Sequence, residues 1–329
     1  MPRFAKVEGI PVPLADPEQS MEASQIGPHE TPSVAVDKTG PRPRVRRHVA
    51  ALPGPAPPAV PAFTKTVRST MAKNGGEFIL HFYTPKGYEN KFLHRNRLFP
   101  AVINFHGGGF TLGNATDDAR FARFALPEHP FPVAVDDGAD AILYVVENAA
   151  DLHINPMLLA TSGFSAGGNL AVTCPMRLVK HMKSIHDPER QVPGHRIVAS
   201  ALWYPITDYT LTRAERRASS SRPDQALPPY LTDLFDQSYL YPPDLDLADP
   251  YLSPPARPTR CSLTALGAEP INKEIHYKMI KGVTHGWDKS PNPMSVADQS
   301  EELYKECCGK LKAIFMKEVH RVDGALPLG

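Results

Sequence analysis

Residues 157–168 read Met157-Leu158-Leu159-Ala160-Thr161-Ser162-Gly163-Phe164-Ser165-Ala166-Gly167-Gly168. The stretch opens as a short apolar run of the kind that forms a strand buried on both faces. From Ser165 to Val172 it continues in a helical pattern, which Pro175 is expected to disturb. Between the two sits the pattern G-x-S-x-G. Glycines on either side of a serine permit a strained strand-to-helix corner, which holds the hydroxyl up with backbone N–H groups close by. Acyl transfer needs a nucleophile presented in this way, and Ser165 is the candidate. The bare pattern arises by chance in about one chain in ten of this length, so its weight comes from the strand before it and the helix after it.

A second motif, His106-Gly107-Gly108-Gly109-Phe110, directly follows the apolar run Ala101-Val102-Ile103-Asn104-Phe105. By composition it is expected in only about one in several hundred chains of this length. Three successive glycines let backbone N–H groups turn toward a negative oxygen without interference from side chains. A phosphate-binding loop would carry a following Lys-Ser/Thr or a G-x-G-x-x-G frame, and neither is present. The two motifs therefore converge on acyl-transfer chemistry. The third element is His285, in Gly282-Val283-Thr284-His285-Gly286-Trp287. The chain has 13 histidines. This one is singled out by position, after the last strand candidate and before the final helix, where the general base of a serine hydrolase of this chain order belongs.

Around these motifs strands and helices alternate. Residues 77–83, 101–105, 157–162, 197–203, 262–266 and 275–280 read as strands, and 133–152 places Ala134, Gly138, Ile142, Val145, Val146 and Ala149 on one helical face. Leu303, Cys307, Leu311, Ile314 and Phe315 recur at helical spacing, with Ser295 and Asp298 as capping candidates. Such alternation predicts an α/β fold with a mostly parallel sheet covered on both faces. The 36 prolines are unevenly spread: thirteen precede residue 62. Residues 1–62 are therefore expected to form an irregular, lid-like segment ahead of a single domain at 63–329. The basic run at 42–47 inside it reads as a solvated linker.

The bulk properties narrow the function. A net charge of +1 offers no electrostatic footprint for nucleic acid. No apolar stretch approaches a membrane span, and residues 1–10 carry no signal-like apolar run. The four cysteines lack metal-ligand spacing, which points to a reducing, cytoplasmic compartment and to free thiols. No cofactor and no metal are implied, and the partner expected is a small-molecule ester.

On HGGGF at 106–110, PEHPFPVAVDD at 127–137, GFSAGGNLA at 163–171, WYPITDY at 203–209 and GVTHGW at 282–287, the chain resembles the hormone-sensitive-lipase-like branch of the α/β-hydrolases. The similarity runs from about residue 64 to the C-terminus, and LFDQSYL at 234–240 and DPYLSP at 249–254 belong to it. The resemblance implies a serine carboxylesterase or lipase acting on short or medium acyl esters. It makes Ser165 the nucleophile, His285 the base, and the N–H groups of Gly108, Gly109 and Ala166 the oxyanion hole, with His106 bracing the glycine loop. Phe110, Leu112, Trp203 and Tyr204 are candidates to face the acyl pocket, although core packing is the expected role of Trp203.

The chain departs from the family pattern twice. Where the family has a central strand between the glycine loop and the PEHPFP segment, Phe121–Leu126 runs straight into Pro127. One central strand of the sheet is expected to be missing. The loop that carries the family's catalytic acid is also shortened. Glu269 is the nearest substitute carboxylate and Glu274 the next, while Asp288 follows His285 too closely to be an obvious orienter. Both gaps are abrupt, with family-like sequence on either side, as an excision from the transcript would leave. A second function is thus consistent with the sequence, that of a catalytically impaired or non-catalytic ligand-binding protein on the same scaffold.

Overall fold

The structure is a computed structural model. It describes residues 60–73, 76–85, 87–88, 98–111, 130–184, 192–220, 223–242, 244–254, 275–283, 285–288 and 297–323. Five strands are present among them: β1 (Phe63–Arg68), β2 (Glu77–Phe82), β3 (Phe99–Phe105), β4 (Ile154–Phe164) and β5 (Ile197–Trp203). The helices are α1 (Val133–Glu147), α2 (Ala166–Ser184), α3 (Arg213–Ala218), α4 (Pro229–Tyr239) and α5 (Ala297–Asp323).

Strand β4 forms the centre of a parallel sheet of order β3-β4-β5. It is buried on both faces because alternate side chains feed two cores. Leu159 joins Ile142, Val146, Leu170 and Cys174 beneath α1 and α2. Leu158 and Ala160 face the other way, against Phe315, Leu311 and Val319 of α5. That division accounts for the unbroken apolar run of the sequence. Pairing of Phe105 with Gly163, and of Phe164 with Trp203, brings the C-terminal ends of all three strands to one edge. In open parallel sheets ligands bind outside that edge.

Strands β1 and β2 form a separate antiparallel hairpin that pairs with none of the other described strands. It is held to α1 in two ways. Val67 and Phe78 share a small core with Ala141. In addition, Asp140 accepts hydrogen bonds from the Thr70 N–H at 2.7 Å, the Thr70 hydroxyl at 2.5 Å and the Met71 N–H at 2.9 Å. An isolated hairpin is marginal in water, so this docking stabilises it. A sheet that breaks between β2 and β3 is what a missing central strand would leave. Residues 112–129, between the glycine loop and α1 in sequence, lie outside the described residues.

Two expectations are corrected. Helix α2 does not stop near Val172 but runs through Pro175 to Ser184. Proline at 175 removes the N–H that would reach the Ala171 carbonyl four residues earlier. That carbonyl accepts instead from Thr161 Oγ1 of β4 at 2.8 Å, so the helix continues without an orphaned acceptor. Residues 275–280 form no ladder with any described strand, and Tyr277 is 78% exposed. The other strand expected in this part of the sequence, 262–266, lies outside the described residues. Arg213–Ala218 is a short helix with no buried residue, closed at its start by a capping box between Thr212 and Glu215. Of the capping candidates for α5, Ser295 is outside the described residues, and Asp298 falls within the helix.

Candidate active site

Ser165 stands between the last residue of β4 and the first of α2, with a φ of 54°. A left-handed backbone costs a non-glycine residue roughly 1–2 kcal/mol, so its surroundings must hold it there. Its N–H donates to the Trp203 carbonyl at the end of β5 at 2.9 Å, and its carbonyl receives the Asn169 N–H of the first turn of α2. The neighbouring glycines are required by close approach. A Cβ on Gly163 would lie 2.0 Å from the Gly167 carbonyl oxygen, and one on Gly167 would lie 1.9 Å from that of Phe105. The turn is therefore seated against the end of β3, where the glycine loop begins. Asn169, fully buried, ties the same helical turn to the outer loops through 2.8 Å bonds to the carbonyls of Ile206 and Leu252.

The structure brings His285 to Ser165, with Nε2 and Oγ 2.7 Å apart. The serine is 8% exposed. Burial lowers the imidazole pKa to about 4; Asp288 pulls it back up and Arg213 pushes it further down. His285 is thus neutral at physiological pH and able to accept the serine proton. The Ser165 end of α2 also presents the positive pole of a helix, whose first N–H groups, that of Ala166 included, have no partner within the helix.

The glycine loop is a turn whose peptide planes are set by its carbonyls. His106 Nδ1 lies 2.6 Å from the Gly107 oxygen, and the Thr111 N–H donates to the Gly108 oxygen at 3.2 Å. A trans peptide points its N–H opposite to its C=O. The first contact therefore orients the Gly108 N–H, and the second orients that of Gly109. Thr111 Oγ1 adds a 3.2 Å bond to the Gly109 oxygen. The loop rests on α4: a Cβ on Gly109 would lie 2.3 Å from the Phe235 ring, and Phe110 stacks on Tyr239 with centroids 3.8 Å apart.

Of the pocket candidates, Phe110 is consumed by that stack, and Leu112 lies outside the described residues. Trp203 packs between Phe164 at 5.7 Å and Tyr304 of α5 at 5.0 Å. Tyr204 sets its ring edge-on to the His285 imidazole, 4.8 Å away. Glu269 and Glu274 lie outside the described residues. Among the described residues, a carboxylate beside the site is that of Asp288, three residues after His285. It is 5% exposed and accepts from the Tyr204 hydroxyl at 2.6 Å and from the Tyr304 hydroxyl. No group of three or more metal-ligating side chains exists among the described residues, and none of their helices is long and apolar enough to cross a membrane.

The family profile of the alpha/beta hydrolase fold matches residues 102–270, just over half of the chain. The chain belongs to that family, in its hormone-sensitive-lipase-like branch. An AB hydrolase superfamily protein of Schizosaccharomyces pombe is 27% identical over 66% of this chain and 71% of its own length. Carboxylesterase NlhH of Mycobacterium tuberculosis is 31% identical over 47% of this chain, and the carboxylic ester hydrolase LipN of the same organism 32% identical over 54%. These matches span about half the length of the two mycobacterial enzymes, 49% and 47%. Among solved structures, a fungal esterase from Rhizomucor miehei superimposes with a TM-score of 0.58 at 20% identity, over 79% of this chain and 87% of the other. An esterase from Pyrobaculum calidifontis gives 0.54 at 21% identity, over 78% and 85%. At these identities the structural likeness concerns the fold alone.

Proposed function

We propose that this protein is a serine carboxylester hydrolase acting on a short or medium acyl ester through an acyl-enzyme. The observation that carries the reading is the 2.7 Å contact between the Ser165 hydroxyl and the neutral His285 imidazole. Ser165 Oγ attacks the ester carbonyl while its proton passes to His285 Nε2. The N–H groups of Gly108, Gly109 and Ala166 hold the tetrahedral oxyanion. The alkoxide leaves with the proton from Nε2, and a water molecule activated by the same imidazole releases the acid. Carboxylesterase relatives support an ester as the substrate class. We assign the activity to a reducing compartment, in keeping with the free thiols of Cys174, Cys307 and Cys308.

The test is labelling with a serine-reactive fluorophosphonate. Wild type reacts and Ser165→Ala does not. Equal labelling of the two, or none of wild type, rejects the reading. Hydrolysis of p-nitrophenyl esters from acetate to palmitate then ranks acyl length, with the shorter chains preferred. The division of the described strands into two sheets favours a second reading, a non-catalytic ligand-binding protein on this scaffold. Ester turnover that vanishes in Ser165→Ala excludes it.

A further inference from the structure

The hydrolase reading leaves one buried charge without a task. Asp288 sits 5% exposed beside the candidate base. A carboxylate in such a place is costly unless hydrogen-bonded, and two phenol hydroxyls, from Tyr204 and Tyr304, meet that need. Tyr204 touches both partners: its hydroxyl donates to Asp288 at 2.6 Å, and its ring edge meets the His285 ring at 4.8 Å. The short spacing is itself the means of delivery. Residues 285–288 form a turn, with Gly286 at a φ of 71°. Three residues apart on one chain, the α-carbons of His285 and Asp288 can stand no more than about 11 Å from one another.

We propose that Asp288 is the positioning residue of His285, a carboxylate held by Tyr204 and Tyr304 whose negative charge stabilises the imidazolium formed during acyl transfer. The inference rests on the ester-hydrolase reading and supplies the partner its base requires. When the Oγ–C bond forms, the hydroxyl proton moves to Nε2, the carbonyl electron pair moves to the oxyanion, and a positive charge appears on His285. Asp288 keeps its charge and takes no proton. When the tetrahedral species collapses, the departing alkoxide recovers the proton from Nε2. Two charged groups bear on the imidazole, Asp288 from its own turn and Arg213 from the start of α3. Asp288 favours the protonated ring, while Arg213 and desolvation oppose it. Arg213 is itself committed to Asp236 of α4, with contacts of 2.7 and 2.5 Å.

The experiment measures the rate constant for fluorophosphonate labelling of Ser165, from pH 3 to 9, in wild type and Asp288→Asn. The substitution preserves shape and removes the charge. The expected result is a 10- to 100-fold slower rate constant at neutral pH, with the acid limb displaced to lower pH because Arg213 and desolvation then act unopposed. A purely structural Asp288 would lower the labelled fraction and the melting temperature, but would leave the rate constant of the labelled molecules and the acid limb unmoved. That outcome, or labelling at the wild-type rate, overturns the proposal. If Asp288→Asn does not fold, Tyr204→Phe combined with Tyr304→Phe decides: both rings stay and both donors go. A several-fold slower rate constant supports the proposal, and the wild-type rate overturns it. Failure of wild type to label would reject the hydrolase reading itself, whereas labelling unaffected by these variants rejects only the role of Asp288.

Discussion

The α-carbon of Gly167 faces the carbonyl oxygen of Phe105 so closely that a Cβ there would lie 1.9 Å from it, and 2.4 Å from the oxygen of His106. The serine turn and the glycine loop therefore share one wall, and the gap between them has no room for a methyl group. Gly167→Ala should destabilise the protein by at least the upper part of the roughly 1–3 kcal/mol that overpacking costs, because the obstacles are backbone atoms that cannot swing aside. It should also abolish labelling of Ser165, since the two motifs must separate. Gly309→Ala is the control. Gly309 is exposed within α5, with nothing within 4 Å of its added carbon, and the same change there should stabilise by about 0.5–1 kcal/mol. Thermal melts of the two variants should move in opposite directions.

What the sequence made legible here was local. The elbow at Ser165 follows from an apolar run, two glycines and a helical pattern within sixteen residues, and the helix α5 from a stripe at spacing three and four. What it hid depended on distant partners. Nothing near Pro175 indicates that Thr161, on another element, satisfies the carbonyl proline leaves open. The alternation of residues 275–280 resembles that of a strand, yet a strand also needs a neighbour, and no described strand pairs with it. Asp288 lies only three residues after His285, whereas an orienting acid is usually a separate loop's contribution. Its role rests on Tyr204 and Tyr304, which lie 84 and 16 residues away in sequence. A signal was present in WYPITDY, where Tyr204 directly follows the strand end that pins Ser165.

The depressed pKa of His285 sets the pH behaviour. A free histidine titrates near 6.5, whereas this one is lowered to about 4, chiefly by burial. The base therefore remains neutral at pH 5, and the acid limb of kcat/KM should fall near pH 4. Stability follows with a definite sign. Between pH 6.5 and 4 the unfolded chain binds a proton at this residue and the native protein does not, so folding stability from this group is present above pH 6.5 and lost as pH falls through 4. His285→Gln should flatten the dependence of Tm on pH within that window. An unchanged slope would mean that the imidazole is not buried as described.

The bond between Thr161 and Ala171 gives a third expectation. Thr161→Val keeps the shape of a fully buried side chain but removes the donor to the Ala171 carbonyl, along with the 2.8 Å bond to Ser200 Oγ. An unsatisfied buried acceptor costs about 1–3 kcal/mol. The urea midpoint should fall correspondingly with the m-value unchanged. The Pro175→Ala variant restores the N–H that helix α2 lacks, so Thr161→Val should cost much less in that background. Equal losses in the two backgrounds would show that the threonine does not serve the proline.

His106 offers the sharpest separation of binding from chemistry. Its Nδ1 contact with the Gly107 oxygen fixes the peptide plane whose other end is the Gly108 N–H. In His106→Phe the ring stays and the donor goes, so the plane is free to rock. An outright loss of one oxyanion donor costs about 10²–10³ in turnover. A donor that is still present but unconstrained should cost less, about 10-fold to 10²-fold. The loss should fall on kcat with KM little changed, because the oxyanion exists only after attack and the ground-state ester does not call on that N–H at full strength. Thr111 still holds the next plane, the one bearing the Gly109 N–H, so the loop should keep one of its two donors and retain measurable activity. A rise in KM at constant kcat would instead place His106 in ester binding, and complete loss of turnover would mean that it takes part in the chemistry directly.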